Sequence, residues 1–312
     1  MSRVFDALTK ASKENKEKIA GFERNQGPLE KRDLGDEGES FGWHWDGNDG
    51  SSARPLPGLP PGPKSRRERA EELLLGWDLR PYRRYPIVAL GKDSPAAEQY
   101  KIFREQVKGL RRQTGVRCLS VTSPVKQDGK TVVSVNLAGA MALEYKEPVL
   151  LIDGDLRSPD VHRYFGVESS PGLADYLSSD STHGDLMDFV RETFLPGLWI
   201  IPAGKASNVS SELPAQLKMR TLLTEIRSRF PSHQIIVDTP PVLPTPDPLV
   251  LAGEVDGIIM VIRAKETSED YLSKAIQSLD PNKVMGIVLN GADIGMASKY
   301  YYPKYSKDGD ES

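Results

Sequence analysis

Six short apolar runs rich in Val, Ile and Leu recur along the second two thirds of this 312-residue chain, with helical patterns filling the spaces between them. The runs are VRCLSV, PVLLID, LWIIPAG, QIIVD, DGIIMVIR and KVMGIVL; between them lie TVVSVNLAGAMALEY, LPAQLKMRTLLTEIRSRF and SEDYLSKAIQSL. Near-continuous apolarity marks strands covered on both faces, and strands that alternate with helices are joined by crossovers into a parallel sheet. The expected fold is α/β: a doubly wound, mostly parallel sheet. Gly172 and Leu173 in SSPGLADYL mark a turn into a short helix beside the second run, and no internal repeat is present.

Three of these strands end in chemistry. The first run leads into SPVKQDGKT, whose end fits the P-loop pattern, in which backbone N–H groups cradle phosphates, a Lys reaches the β/γ-phosphates and a Ser/Thr hydroxyl holds Mg²⁺. Gly129, Lys130 and Thr131 are those residues, and the cradle is expected to run from Val125 through Lys126, Gln127, Asp128 and Gly129 to Val132. Pro124 stands where a full P-loop begins with Gly, so the loop must take a different path around the β-phosphate. VLLIDGDLR carries Asp153 and Asp155, and QIIVDTPP carries Asp238. A buried parallel strand that ends in acid delivers its carboxylate to the C-terminal edge of the sheet, where ligands of open α/β folds bind. The signatures together describe a nucleotide phosphate site with its Mg²⁺ on a sheet of the P-loop NTPase type. Lys130 would neutralise phosphate oxygens, Thr131 would bind Mg²⁺ directly and Asp238 through water. Asp153 and Asp155, two apart on an extended segment, point the same way, and one of them could serve an acceptor hydroxyl as base.

Composition narrows the partners. Charged residues are 27% and the net charge is −3, so no global field recruits nucleic acid, and no nucleic-acid partner is expected. The single cysteine, Cys118, lies within VRCLSV and reads as a small buried core residue. No apolar stretch approaches 18 residues, and the opening MSRVFDALTK lacks a signal-peptide core, so a cytoplasmic location is expected and any membrane role needs a partner.

Residues 1–25 read as a short amphipathic helix, with Val4, Phe5, Leu8 and Ala11 opposite Lys10, Lys13, Lys16 and Lys18. Residues 26–93 read as a disordered linker rich in Gly, Pro and charge; Trp43 and Trp45 are incidental to it, and its arginine clusters are diluted by Glu71, Glu72 and Asp78. The folded domain is expected over 94–296, opening with a helix on which Tyr100, Phe103, Val107 and Leu110 recur at helical spacing. The last segment, 297–312, holds four of the 11 tyrosines, Tyr300, Tyr301, Tyr302 and Tyr305; with Pro303 and Gly309 it is expected to be mobile enough to reach a neighbouring subunit's site.

On LLIDGDLRSPDVH, IIVDTPPVLPTPD, the tyrosine-rich end and the connecting NLA, PGLADYL and IPAG segments, residues 94 to 305 resemble the bacterial tyrosine kinase family, the P-loop kinases of capsule and exopolysaccharide systems. The opening MSRVFDALTKAS resembles free-standing members without a fused membrane-spanning adaptor. The resemblance implies Asp153 as base, Asp155 supporting the metal, Arg157 orienting the loop or touching phosphate, and Asn290 on the adenine side. It implies phosphorylation of Tyr300, Tyr301, Tyr302 and Tyr305 between subunits, a membrane-spanning co-polymerase partner at the inner membrane and a cognate tyrosine phosphatase. Glu98, Lys101 and Arg104 match the family's ExxRxxR subunit-contact motif, with lysine in place of one arginine, and so imply a homo-oligomer such as a ring, with a weaker contact. Two other classes compete: a partition or division-site ATPase switch, whose extra loop lysine would stand where Val125 does, and a nucleotide-binding scaffold without turnover.

Overall fold

The computed structural model describes residues 85–91, 94–143, 148–178, 185–205, 213–244 and 246–292, with backbone alone at 213–217 and 247. All belong to the compact unit Arg66–Ser312. The expected N-terminal helix, the linker up to residue 84 and the tyrosine-rich segment 297–312 lie outside the described residues.

The strands are β1 (Cys118–Thr122), β2 (Val149–Asp153), β3 (Arg191–Glu192), β4 (Leu198–Ile201), β5 (Gln234–Asp238), β6 (Gly257–Arg263) and β7 (Val284–Asn290). They form one sheet in the order β3-β4-β2-β5-β1-β6-β7. Every pairing is parallel except β3 with β4. The helices are α1 (Pro95–Thr114), α2 (Lys130–Ala142), α3 (Val161–Phe165), α4 (Leu173–Ser178), α5 (Leu213–Arg229), α6 (Asp247–Glu254) and α7 (Glu269–Gln277). The six expected strands and the parallel, doubly wound arrangement are present.

Alternation along each central strand divides the core in two. Cys118, Leu150, Ile152, Ile235, Val237, Ile258 and Met260 pack on one face with Leu222 and Ile226 of α5. Leu119, Val121, Val149, Leu151, Ile236, Ile259 and Val261 pack on the other with Val133, Leu137 and Met141 of α2. Period-two alternation with both sides apolar is what a strand covered on both faces requires. Each of the aliphatic and methionine side chains contributes roughly 1.5–3 kcal/mol through burial. Cys118 is buried and its thiol is pushed up to about 12 by that burial, which suits a core residue.

The packed chain begins before the boundary expected at 94. Tyr85 meets the Tyr164 ring edge-on at 5.2 Å, Ala89 is 2% exposed, and the Ala89 N–H donates to Asn136 Oδ1 at 2.9 Å. Residues 85–90 therefore belong with the core and correct the reading of 26–93 as linker throughout. Ile87, Ala89 and Leu90 bury apolar surface on α2, and Asn136 would otherwise hold an unsatisfied buried acceptor.

Candidate active site

β1 ends at Thr122, and the chain turns through Pro124–Gly129 before α2 begins at Lys130. Gln127 (φ 69°) and Gly129 (φ 91°) both take left-handed backbone conformations. Glycine suits 129, where φ 91° is a conformation L side chains rarely adopt and a Cβ would displace the Asn290 amide. α1 and α7 start with serine side-chain caps on Ala97 and Tyr271 N–H, whereas α2 starts at Gly129 with no side-chain cap. The unpaired N–H groups and positive dipole end of a 13-residue helix thus open onto the loop, the arrangement that favours an anion.

The acids come from the adjoining strand ends. Asp153 and Asp238 are register partners across β2 and β5. Lys130 Nζ stands 2.7 Å from Asp155 Oδ2. Thr131 Oγ1 donates to Asp238 Oδ2 at 2.7 Å, and Ser134 Oγ donates to Asp238 Oδ1 at 3.0 Å. Asp153 is fully buried; its Oδ2 accepts the Val161 N–H at 3.1 Å, while Oδ1 has no protein partner. Asp155 Oδ1 accepts the Ser158 N–H at 3.1 Å, closing the turn after β2. Gly154 joins the acids and donates its N–H to Asp238 O at 2.7 Å; a Cβ there would come within 2.8 Å of the same oxygen.

Burial dominates the electrostatics. It pushes Asp153 well above the ordinary carboxylate range, with the neighbouring Asp238 charge adding to the effect. It also raises Asp238 to about 6, although Lys130 and the Thr131 and Ser134 hydroxyls pull the other way. Burial works against the Lys130 ammonium, but Asp238, Asp155 and Asp153 outweigh it and hold the amine above its usual value.

The structure thus brings Lys130, Thr131, Asp153, Asp155 and Asp238 together at the C-terminal edge of the sheet. Val125 is half-buried, and Lys126 and Gln127 are exposed on the loop. Val132 packs its side chain on the core, so only its backbone is left for a nucleotide. Arg157 is exposed in the turn after Asp155. Asn290, expected on the adenine side, lies against the loop, with Nδ2 donating to Asp128 O at 2.9 Å. Asp128 is 3% exposed and accepts from Thr267 Oγ1 at 2.6 Å. Glu98 and Lys101 pair with one another, and Arg104 pairs with Glu105 and donates to Ala140 O at 3.3 Å, so each member of the expected subunit contact has a partner within the chain.

Sequence reasoning missed Ser134 and Thr267. Ser134 could have been found, since it stands one helical turn from Lys130 and Thr131 and shares their face. Thr267 carries no local signal. No group of three or more His, Cys, Asp or Glu among the described residues forms a ready-made cation cage. The donors present are hard oxygens, one hydroxyl and two carboxylates, beside a phosphate-type loop. That set fits Mg²⁺, which takes one or two carboxylates and completes its octahedron with phosphate and water.

Sheet order, loop and acids define a P-loop nucleotide-binding protein. No protein-family model matches the chain. It is 31% identical over 212 residues to CapB of Staphylococcus aureus, described as a candidate tyrosine-protein kinase, covering 67% of this chain and 90% of CapB. To EpsB of Ralstonia nicotianae, described in the same way, it is 30% identical over 70% of its own length, and it spans only 29% of that longer protein. The solved kinase domain of the Escherichia coli tyrosine kinase ETK superposes with a TM-score of 0.57 at 27% identity, over 67% of this chain and 82% of that one. The chain belongs to the bacterial tyrosine-protein kinase family.

Proposed function

We propose that this protein is an ATP-dependent tyrosine autokinase that transfers the γ-phosphoryl group to Tyr300, Tyr301, Tyr302 and Tyr305 of a neighbouring copy, and so regulates synthesis or export of a capsular or extracellular polysaccharide. The observation that carries the reading is the meeting of Lys130, Thr131 and three strand-end carboxylates around one uncapped helix start. Phosphoryl transfer asks a protein mainly for positioning and neutralisation of charge. Lys130, drawn to Asp155 in this structure, would turn to the β/γ-phosphate oxygens. The amides at the start of α2 would hold the remaining phosphate charge. Thr131, Asp155 and Asp238 would hold Mg²⁺, which supplies charge neutralisation across the phosphates when bound.

Asp153 is the base in this reading. Its Oδ1 has no protein partner while its Oδ2 is fixed by Val161 N–H, so the carboxyl is oriented with one oxygen left to take the tyrosine proton. Burial and the neighbouring Asp238 charge raise its basicity. As the tyrosine oxygen bonds to the γ-phosphorus, the bond to the bridging oxygen breaks and ADP leaves.

The names of the relatives support the capsule setting, with CapB covered over 90% of its length at 31% identity. In this reading, action at the inner membrane runs through a membrane-spanning co-polymerase partner; no helix among the described residues is long and apolar enough to cross a membrane. Assembly through the α1 face bearing Glu98, Lys101 and Arg104, and reversal by a cognate tyrosine phosphatase, belong to the same proposal.

The test is mass spectrometry of the C-terminal peptide from protein made in its own host, wild type against Lys130→Ala at matched abundance. Phosphate on Tyr300–Tyr305 in wild type alone is the expected result. Unmodified tails in both chains, with the membrane partner present, would overturn the reading in favour of an ATPase switch.

A further inference from the structure

The loop Pro124–Gly129 is held from behind by side chains remote in sequence. Arg263 Nη1, at the end of β6, donates to Gln127 O at 3.2 Å, and Asn290 Nδ2, at the end of β7, donates to Asp128 O at 2.9 Å. The Asp128 carboxylate closes the brace: Oδ1 accepts from Thr267 Oγ1 at 2.6 Å, and Oδ2 accepts the loop's own Val125 N–H at 3.3 Å. The Thr267 oxygen in turn accepts the Arg263 N–H at 2.8 Å, which aims its proton at Asp128.

We infer that Asp128 and Thr267 are positioning residues for phosphate binding, setting the direction of the loop amides through a brace built on β6 and β7. The inference rests on the phosphate-site reading of this loop and adds what gives the loop its shape. A peptide unit is planar and trans, so its carbonyl and its N–H point opposite ways. Drawing the Gln127 and Asp128 carbonyls towards Arg263 and Asn290 therefore turns the Asp128 and Gly129 N–H groups to the opposite side. Successive N–H groups turned inward around a left-handed residue make an anion-binding concavity. Gln127 sits at φ 69°, where a side chain other than that of glycine is strained, so the turn persists because its surroundings hold it. The brace also disposes of an awkward charge. Both Asp128 oxygens are engaged by donors, which keeps a buried carboxylate from facing phosphates with free lone pairs.

The experiment is calorimetric titration of the full chain with MgADP, paired with thermal unfolding of each variant. Wild type should bind and Lys130→Ala should bind far more weakly, which tests the site itself. Thr267→Val keeps size and shape but neither donates to Asp128 nor accepts the Arg263 N–H; it should bind roughly tenfold more weakly, with Tm lowered by the loss of those two hydrogen bonds. Thr267→Ser should restore wild-type affinity. Gln127→Gly in the Thr267→Val background should recover most of the loss, because glycine reaches the turn's conformation without strain. A purely structural role would lower Tm while leaving the MgADP affinity of the folded protein unchanged, with nothing for glycine at 127 to recover. Wild-type affinity in Thr267→Val would overturn the inference and leave the site reading intact. Absence of MgADP binding in wild type would overturn both. Should Thr267→Val fail to fold, Asp128→Asn answers in its place, with weaker MgADP binding expected and unchanged affinity overturning the inference.

Discussion

The two halves of the site are held in place by different means. Asp153 and Asp238 are fixed by the regular β2–β5 ladder, in which each strand is buried along its whole length. Lys130 and Thr131 follow a turn whose shape hangs on single side-chain contacts from Arg263, Thr267 and Asn290. A ladder shares its load among many backbone hydrogen bonds, so the acids should keep their places through most nearby substitutions. The loop should not.

The largest expected effect is on the loop side. Lys130→Ala should lower phosphoryl transfer roughly a thousandfold or more and weaken nucleotide binding with it, as single-turnover kinetics and titration would show. Asp153→Asn tests the ladder side. It should cut kcat about a hundredfold or more while MgADP affinity stays near wild type, since the proposed base would act in the transition state and the ladder does not depend on its charge. Equal loss of binding in Asp153→Asn would erase the contrast.

Stability offers finer comparisons. Gly154→Ala places a methyl group 2.8 Å from the Asp238 carbonyl and should destabilise by about 1–3 kcal/mol in urea unfolding, whereas Gly109→Ala on α1, with open space around it, should stabilise by up to about 1 kcal/mol. Removing residues 1–84 should leave MgADP affinity unchanged. Removing 1–93 should in addition destabilise the core by roughly 1–3 kcal/mol, because Asn136 Oδ1 loses the Ala89 N–H.

The smallest effect is the pH dependence of the nucleotide-free protein in EDTA. Asp238 is raised from 3.8 to about 6, so between those values the folded state binds more protons than the unfolded state. Stability should therefore fall as pH rises from about 4 to about 6, and Asp238→Asn should flatten that part of the curve. An Asp238→Asn profile with the same slope as wild type over this range would contradict the raised Asp238 carboxyl.

The contrast also explains what could be read from sequence. The central strands, their parallel order and the acids at their ends follow from local apolar runs, and Lys130 and Thr131 from a contiguous motif. The two-residue β3, at Arg191–Glu192, carries too little pattern to be seen, and the short helices α3 and α6 were missed for the same reason. Residues 85–90 were hidden by the polar, proline-rich stretch before them, and their anchor, Asn136, lies 47 residues away. Thr267 and Asn290 meet Asp128 across separations of 139 and 162 residues, where no periodicity or motif can announce a hydrogen bond.

The central claim, transfer from one copy's site to another copy's tail, is tested most directly by co-expressing two chains in the native host: Lys130→Ala with its tyrosines intact, and wild type with Tyr300, Tyr301, Tyr302 and Tyr305 changed to Phe. Phosphotyrosine on the Lys130→Ala tail, lost when Asp153→Asn is added to the tyrosine-free chain, is the predicted result. An unmodified tail while both chains are present and the tyrosine-free chain binds MgADP would contradict it.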